Sequence, residues 1–158
     1  MKMSEMVEWA LHCCLALAWI GPQEPVPATR LAAKFGVPPA YLGKCLQALA
    51  RAGILTSTAG AKGGFRLTRA PENISVLEVV QAVDGSEPAF RCTEIRQQGE
   101  GAAPARECRR PCAIAATMKQ AEMAWRRELS SRSLADLMAD APPTAAVRTV
   151  SWHQARAA

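Results

Sequence analysis

The sequence has few aromatic residues, only two histidines and no hydrophobic run long enough to cross a bilayer. Aromatic side chains make up 5% of the 158 residues. A membrane-spanning helix needs about 18 to 20 mostly apolar residues, and the N-terminus lacks the basic start, apolar run and cleavage site of a secretory signal. We therefore expect a cytoplasmic protein without a membrane partner.

Signatures of common enzyme classes are also missing. The chain contains no P-loop, no G-x-S-x-G turn and no other nucleophile motif. His153 lies in a C-terminal stretch that shows no pattern of burial. We predict that the protein is not an enzyme and assign no catalytic residue.

Positive charge and small hydrophobic residues are plentiful. The formal net charge is +5, which suits a polyanionic partner but also occurs in proteins that have none. Hydrophobic residues account for 49% of the chain, with many alanines. This length and composition predict one core of closely packed helices and one accessory helix.

The N-terminal half carries the pattern of a winged helix-turn-helix. Residues 3–20 have helical spacing, and the short helix "ATRLAAKFGV" is followed, after a turn around Gly36, by the helix "PPAYLGKCLQALARAG". "ILTST" and "FRLTR" predict two strands around the glycine-rich "AGAKGG". The helix "ISVLEVVQAVDG" follows, with Ser75 as N-cap and Glu78 as its capping-box partner. The predicted fold is mainly α with a small β-hairpin wing.

The C-terminal half predicts a loop and a long helix. "CAIAATMKQAEMAWRREL" repeats apolar residues at three- and four-residue steps, and it has too little local core to bury them. We expect this helix to pack against a second copy and form a homodimer. The predicted regions are a winged DNA-binding domain (1–88), a cluster-binding loop (89–112), a dimerisation helix region (113–140) and a flexible tail (141–158).

A winged helix-turn-helix predicts binding to double-stranded operator DNA. Its second helix enters the major groove by its N-terminal end, while the wing and the preceding helix contact phosphates. The wing glycines would allow the hairpin to lie close to the DNA backbone. The alternative is that the lysines and arginines are ordinary solvated charges. The candidate DNA-binding residues are Thr29, Arg30, Pro39, Tyr41, Lys44, Lys62, Gly63, Gly64 and Arg66.

Two pairs of residues have spacing suited to a metal. Glu8 and His12 stand one helical turn apart, and Cys108 and Cys112 have the same separation, so a helix beginning near residue 108 would make a second two-ligand clamp. Two clamps suit a two-iron cluster, in which each iron takes two protein ligands. Zinc would accept the same four donors. The alternative is a surface carboxylate, a core histidine and buried cysteines.

The order of these elements, with "GGFRLTR", "VVQAVDG" and a three-cysteine loop before a long helix, resembles the bacterial winged-helix iron–sulfur transcription regulators of the IscR and NsrR type. "VEWALHCC", "PAFRCTEIRQ" and "CRRPCAIA" are similar to the RsrR-type redox sensors within that family. The resemblance covers residues 1 to about 140. It implies a dimer with a [2Fe-2S] cluster at its interface, held by Glu8 and His12 of one subunit and Cys108 and Cys112 of the other.

The sequence departs from the wider family in two places. The long gap after Cys92 disfavours a site of three cysteines, and Ala59 stands where the family often has a wing arginine. We expect reduction or loss of the cluster to shift the angle between the DNA-reading heads. Trp9, beside Glu8, is the candidate to move, unless it only packs. The alternatives are a nitric-oxide-sensing [4Fe-4S] regulator that also uses Cys92, and a zinc-stabilised protein-interaction module.

Overall fold

The helices and strands follow the predicted order in a computed structural model that describes residues 3–60 and 62–155. They divide into two units, one of residues 3–86 with 129–155 and the other of residues 87–128. The bounds are α1 (Glu5–Ile20), α2 (Ala28–Phe35), α3 (Pro39–Arg51), β1 (Leu55–Thr58), β2 (Gly64–Leu67), α4 (Val76–Asp84), α5 (Ala113–Ser131), α6 (Leu134–Asp140) and α7 (Pro143–Gln154). Among the described residues, no helix is long and apolar enough to span a membrane.

The helix-turn-helix is built from α2 and α3. Gly36 ends α2 with φ 65°, a left-handed conformation that glycine adopts without a side-chain clash. Pro39 begins α3, where its missing N–H is not needed. The inner faces of both helices are fully buried, with Leu31 from α2 and Leu42, Leu46 and Leu49 from α3 in one hydrophobic core. Packing therefore fixes the angle at which α3 is presented.

The wing is a two-stranded antiparallel hairpin with one added bridge. Leu55 pairs with Leu67 at its base and Thr58 with Gly64 at its tip. Val26 and Phe65 exchange two backbone hydrogen bonds of 2.9 Å. Because Val26 lies just before α2, this bridge ties the wing to the helix-turn-helix.

Capped helices complete this unit. Ser75 and Glu78 form the predicted capping box at the start of α4. Ser75 also forms a β-bridge with Ser133, directly before α6. The N–H of Leu134 donates to the carbonyl of Ile74 over 2.9 Å, and both side chains are fully buried. The chain after α5 therefore returns to the N-terminal core.

The predicted flexible tail is wrong for most of its length. Pro143 begins a helix that runs to Gln154 and packs against α1, and Thr149 and His153 are buried. The pattern was missed because the segment has few large apolar residues and buries polar ones. Residues 156–158, the end of the predicted tail, lie outside the described residues.

The long helix α5 confirms the prediction of a long helix after the cysteine loop. It buries none of its own residues in the single chain, and Ile114 is 66% exposed. Met118 and Met123 are also exposed. α5 therefore leaves its apolar side chains unburied within the single chain, and its packing against a second copy stays a prediction.

Candidate functional site

Glu8 and His12 lie on the exposed side of α1, whose opposite side is core. Cys13 and Cys14, next to His12 in sequence, are fully buried, whereas Glu8 and His12 are exposed. A helix turn separates the two candidate ligands, so both side chains leave the same face. α1 thus has one face that packs in the core and one exposed face that carries the two candidate metal ligands.

A pocket of about 250 Å³ lies beside this pair. It is lined by Glu8, Trp9, His12, Phe35 and Val37. The rings of His12 and Phe35 stand 5.8 Å apart at a tilt of 42°. Phe35 is the last residue of α2 and Val37 lies in the turn before α3. The pocket therefore joins the candidate ligands to the turn of the helix-turn-helix, a connection that the sequence analysis missed.

Cys108 and Cys112 do not form a helical clamp. Cys108 lies in a single 3-10 turn, Arg110 is extended at φ −88° and ψ 140°, and α5 begins only at Ala113. The physical reason is Pro111, because the residue before a proline is sterically disfavoured in helical conformation. The two thiols are half-buried and are placed by a turn and a helix start.

Cys112 stands at the N-terminus of α5. Backbone N–H groups of Ala115 and Ile114 hold the pKa of its thiol below the usual value, and the Arg96 guanidinium lowers the pKa further, against the effect of Glu94. A lowered pKa favours the thiolate, which is the form that binds metals.

Arg96 organises the cysteine loop. Its guanidinium forms a two-point ion pair with Glu94, at 2.5 and 2.9 Å, and donates to the carbonyl of Arg110. Hydrogen bonding to Glu94 raises the pKa of Arg96, with smaller contributions from the charges of Cys108 and Cys112. The guanidinium therefore lies near both thiols, and nothing in the spacing of the sequence pointed to it.

The other cysteines differ sharply from this pair. Burial raises the pKa of the Cys13 and Cys14 thiols well above their usual value, and it raises that of Cys45 to about 11. These three thiols pack as small hydrophobic groups. Cys92 is exposed. Within the described part of one chain, no three residues among His, Cys, Asp and Glu gather into a group able to hold a metal.

The start of α3 presents the predicted groove-reading residues to solvent. Tyr41 is 58% exposed, and Pro39 and Lys44 are exposed. The Lys44 ammonium lies 5.6 Å from the centre of the Tyr41 ring. Thr29, at the start of α2, is exposed as well.

The wing contributes two exposed cations, Lys62 and Arg66. Its glycines are required by contacts within the fold, a role that the sequence pattern alone did not predict. A Cβ on Gly64 would stand 2.4 Å from the carbonyl carbon of Val26, and one on Gly63 would stand 2.1 Å from the oxygen of Thr58. Close backbone packing alone therefore requires both glycines.

Arg30 is placed differently from the other candidate phosphate contacts. Its guanidinium donates to the carbonyl of His153 over 2.9 Å and lies 5.0 Å from the centre of the Trp152 ring. Both partners belong to α7. The residue predicted to contact DNA is thus engaged by the segment predicted to be a tail.

Comparison with known proteins supports one family. A family model described as "Rrf2: Iron-dependent Transcriptional regulator" matches residues 3–140. The protein named rrf2 of Nitratidesulfovibrio vulgaris is 32% identical over 141 residues, which cover 89% of each chain. The HTH-type transcriptional regulator IscR of Aliivibrio salmonicida is 33% identical over 92 residues, covering 58% of this chain and 55% of the relative.

A solved structure supports the fold. The structure of CymR, the global cysteine regulator of B. subtilis, superposes with a TM-score of 0.67 at 21% identity and covers 90% of this chain and 99% of that one. At this identity the likeness concerns the fold alone, and it agrees with the predicted winged helix-turn-helix.

Proposed function

Because the chain belongs to the Rrf2 family of transcriptional regulators, we propose that it binds operator DNA as a homodimer whose affinity is set by a [2Fe-2S] cluster. In this proposal α3 reads the major groove and the wing cations contact phosphates. The exposed face of α5 packs on the second copy. The protein has no catalytic role, in line with the regulators that it resembles.

The observation that carries the cluster assignment is the division of possible ligands into accessible and sequestered groups. Three thiols are buried with a raised pKa and are unsuited to binding a metal. The accessible groups include Glu8 and His12 on α1 and the three thiols of the loop before α5, Cys92, Cys108 and Cys112. One imidazole, one carboxylate and two thiolates fit a two-iron cluster, with two protein ligands for each iron.

We assign Glu8 and His12 of one subunit, and Cys108 and Cys112 of the other, as the ligands. The lowered pKa of Cys112 supports its role as a thiolate ligand. A cluster divided between two subunits is consistent with the lack of a three-ligand group in the described part of one chain. Cys92 is exposed, and we assign it no ligand role.

When bound, such a cluster supplies one-electron redox chemistry, and its potential depends on ligand type and surrounding hydrogen bonds. The chain's own residues supply the coupling to DNA. A shift of the His12 ring would press on Phe35, 5.8 Å away, at the end of α2. Trp9 lines the same pocket and is the residue that we propose moves with it. The turn before α3 would then change the presentation of the reading helix.

The first experiment is an anaerobic visible spectrum with iron and sulfide counts, before and after dithionite. The proposal predicts two irons and two sulfides per subunit and a reversible loss of colour. Four irons would favour the [4Fe-4S] alternative, and a colourless protein containing zinc would favour the interaction module. Either outcome would overturn the ligand assignment.

Single variants then test three of the four assigned ligands. His12→Ala, Cys108→Ser and Cys112→Ser are expected to lose or destabilise the cluster while keeping the helical circular dichroism of the apo-protein. Cys92→Ser is the matched control, an exposed cysteine of the same loop that should keep the spectrum. An unchanged spectrum in His12→Ala would remove that residue from the site.

DNA binding is tested with an operator selected from a random duplex library. Oxidised and reduced cluster-loaded protein are titrated against this operator at one salt concentration, because affinity for DNA depends steeply on salt. We expect different affinities with an intact dimer in both states. Equal affinities would refute control by the redox state.

A further inference from the structure

The C-terminal helix α7 reaches the helix-turn-helix with a set of five contacting residues, here called the clasp. Two cations of α2 lie over the Trp152 ring, the Arg30 guanidinium carbon 5.0 Å and the Lys34 ammonium 4.6 Å from its centre. Cations at this distance from an aromatic face are attracted by its quadrupole. The clasp consists of Glu24, Arg30, Lys34, Trp152 and His153.

Hydrogen bonds close the clasp. Arg30 donates through Nη2 to the carbonyl of His153 over 2.9 Å, and the Nε2 atom of His153 lies 2.7 Å from a carboxylate oxygen of Glu24. His153 is only 5% exposed. Arg30 is the third residue of α2, and the first helix of a helix-turn-helix crosses the DNA backbone. α7 therefore engages a guanidinium on the helix that the proposed function places across the DNA backbone.

The closed clasp leaves polar atoms unsatisfied. Among the described residues, Arg30 Nε and His153 Nδ1 are buried without a hydrogen-bond partner. Burying such atoms unpaired is unfavourable, and opening the clasp would expose both. A phosphate can accept two parallel hydrogen bonds from a guanidinium, including one from Nε. An anion that pairs with these atoms would therefore compete with the closed state of the clasp.

We propose that α7 is an autoinhibitory clasp that withholds Arg30 from DNA, and that its opening delivers this guanidinium to a backbone phosphate. The proposal rests on the DNA-binding function proposed above. α7 follows residues 3–140, the region matched by the family model. The residues that α7 contributes to the clasp, Trp152 and His153, therefore lie outside that region.

The test is the salt dependence of binding to a random-sequence duplex, measured with the full-length Trp152→Ala variant. Each added phosphate contact steepens the plot of log affinity against log salt by about 0.9. Two released Arg30 residues in a dimer should steepen it by about 1.8, so lowering salt fourfold should increase affinity roughly 12-fold more than in the wild type. Adding Arg30→Ala to Trp152→Ala should remove this gain.

Two further variants separate the clasp from a folding defect. Glu24→Gln removes the carboxylate partner of His153 at an exposed side chain, and it should steepen the slope in the same direction, but less. Val147→Ala is the matched control on the outer face of α7, where the side chain is 65% exposed, and it should leave the slope unchanged.

The outcomes separate the two proposals. A wild type that fails to bind the duplex at any salt concentration overturns the DNA-binding function and the clasp with it. A wild type that binds, with no steeper slope in Trp152→Ala or Glu24→Gln, overturns the clasp alone. A gain that persists when Arg30 is also replaced refutes the role of Arg30, since Lys34 is released from the same ring.

Discussion

Replacing Gly64 by alanine tests whether the wing glycines serve the fold or the DNA. The added Cβ would stand 2.4 Å from the carbonyl carbon and 2.5 Å from the oxygen of Val26. These are backbone atoms, so no side chain can rotate away. The wing would have to move from Val26 and break the two backbone hydrogen bonds that join Val26 to Phe65.

The expected loss of stability follows from these contacts. Two net backbone hydrogen bonds contribute about 1 kcal/mol each, and forced overpacking costs about 1 to 3 kcal/mol. Because the chain can relax partly, we expect Gly64→Ala to reduce the free energy of unfolding by about 2 to 4 kcal/mol. For a chain of this size the midpoint of thermal unfolding should fall by roughly 5 to 15 °C.

The assay is urea or thermal unfolding followed by circular dichroism, without DNA. Gly43→Ala is the matched control, since this glycine lies inside α3 and an added Cβ would meet nothing within 4 Å. It should stabilise the helix by about 0.5 to 1 kcal/mol. A Gly64→Ala variant as stable as the wild type, but defective in DNA binding, would refute the packing argument and favour close approach to DNA.

Two further predictions concern the cap of α4 and the thiols. Ser75→Ala should destabilise the protein by about 1 kcal/mol, measured by thermal melting. Although partial burial acts to raise the pKa of Glu78, hydrogen bonds from Ser75 and Arg69 hold it below its usual value. The stabilisation of the fold by this carboxylate is therefore present above the usual pKa of a glutamate and is lost as pH falls below it. Ser75→Ala should therefore reduce the acid sensitivity, and an unchanged pH profile would contradict the capping role. In native apo-protein an alkylating reagent should modify only Cys92, Cys108 and Cys112. In denaturant all six cysteines should react. Rapid labelling of Cys13, Cys14 or Cys45 in the native state would contradict their burial.

The winged half of the fold could be predicted because its signals are local. Gly36, the prolines before α3 and the Ser75 capping box each specify a backbone conformation within a few residues, and the structure confirms the elements that they delimit. The arrangement of the thiols was harder to predict from the sequence. The four-residue spacing of Cys108 and Cys112 suggested a helix, but Pro111 was the stronger signal.

α7 was missed because tertiary contacts, not periodicity, bury it. Its buried residues are Thr149 and His153, and Trp152 packs against cations of another helix. A pattern of large apolar residues cannot reveal such a surface. The pair Pro142 and Pro143 was an available helix-start signal, since proline is favoured in the first turn.

Under the proposed function, the position of α1 limits how a redox signal from a cluster could reach the DNA-binding elements. The helix carries the proposed ligands Glu8 and His12 on one face and buries Val7, Leu15 and Leu17 with four smaller residues on the other. Burying each of these three larger side chains contributes about 1.5 to 3 kcal/mol. A difference of 100 mV in the potential of a one-electron couple between two conformations corresponds to only about 2.3 kcal/mol. Sliding α1 out of the core would cost more than this. Under the proposed function, the signal would therefore pass through side-chain movements in the pocket that His12 shares with Phe35 and through rigid-body changes between subunits.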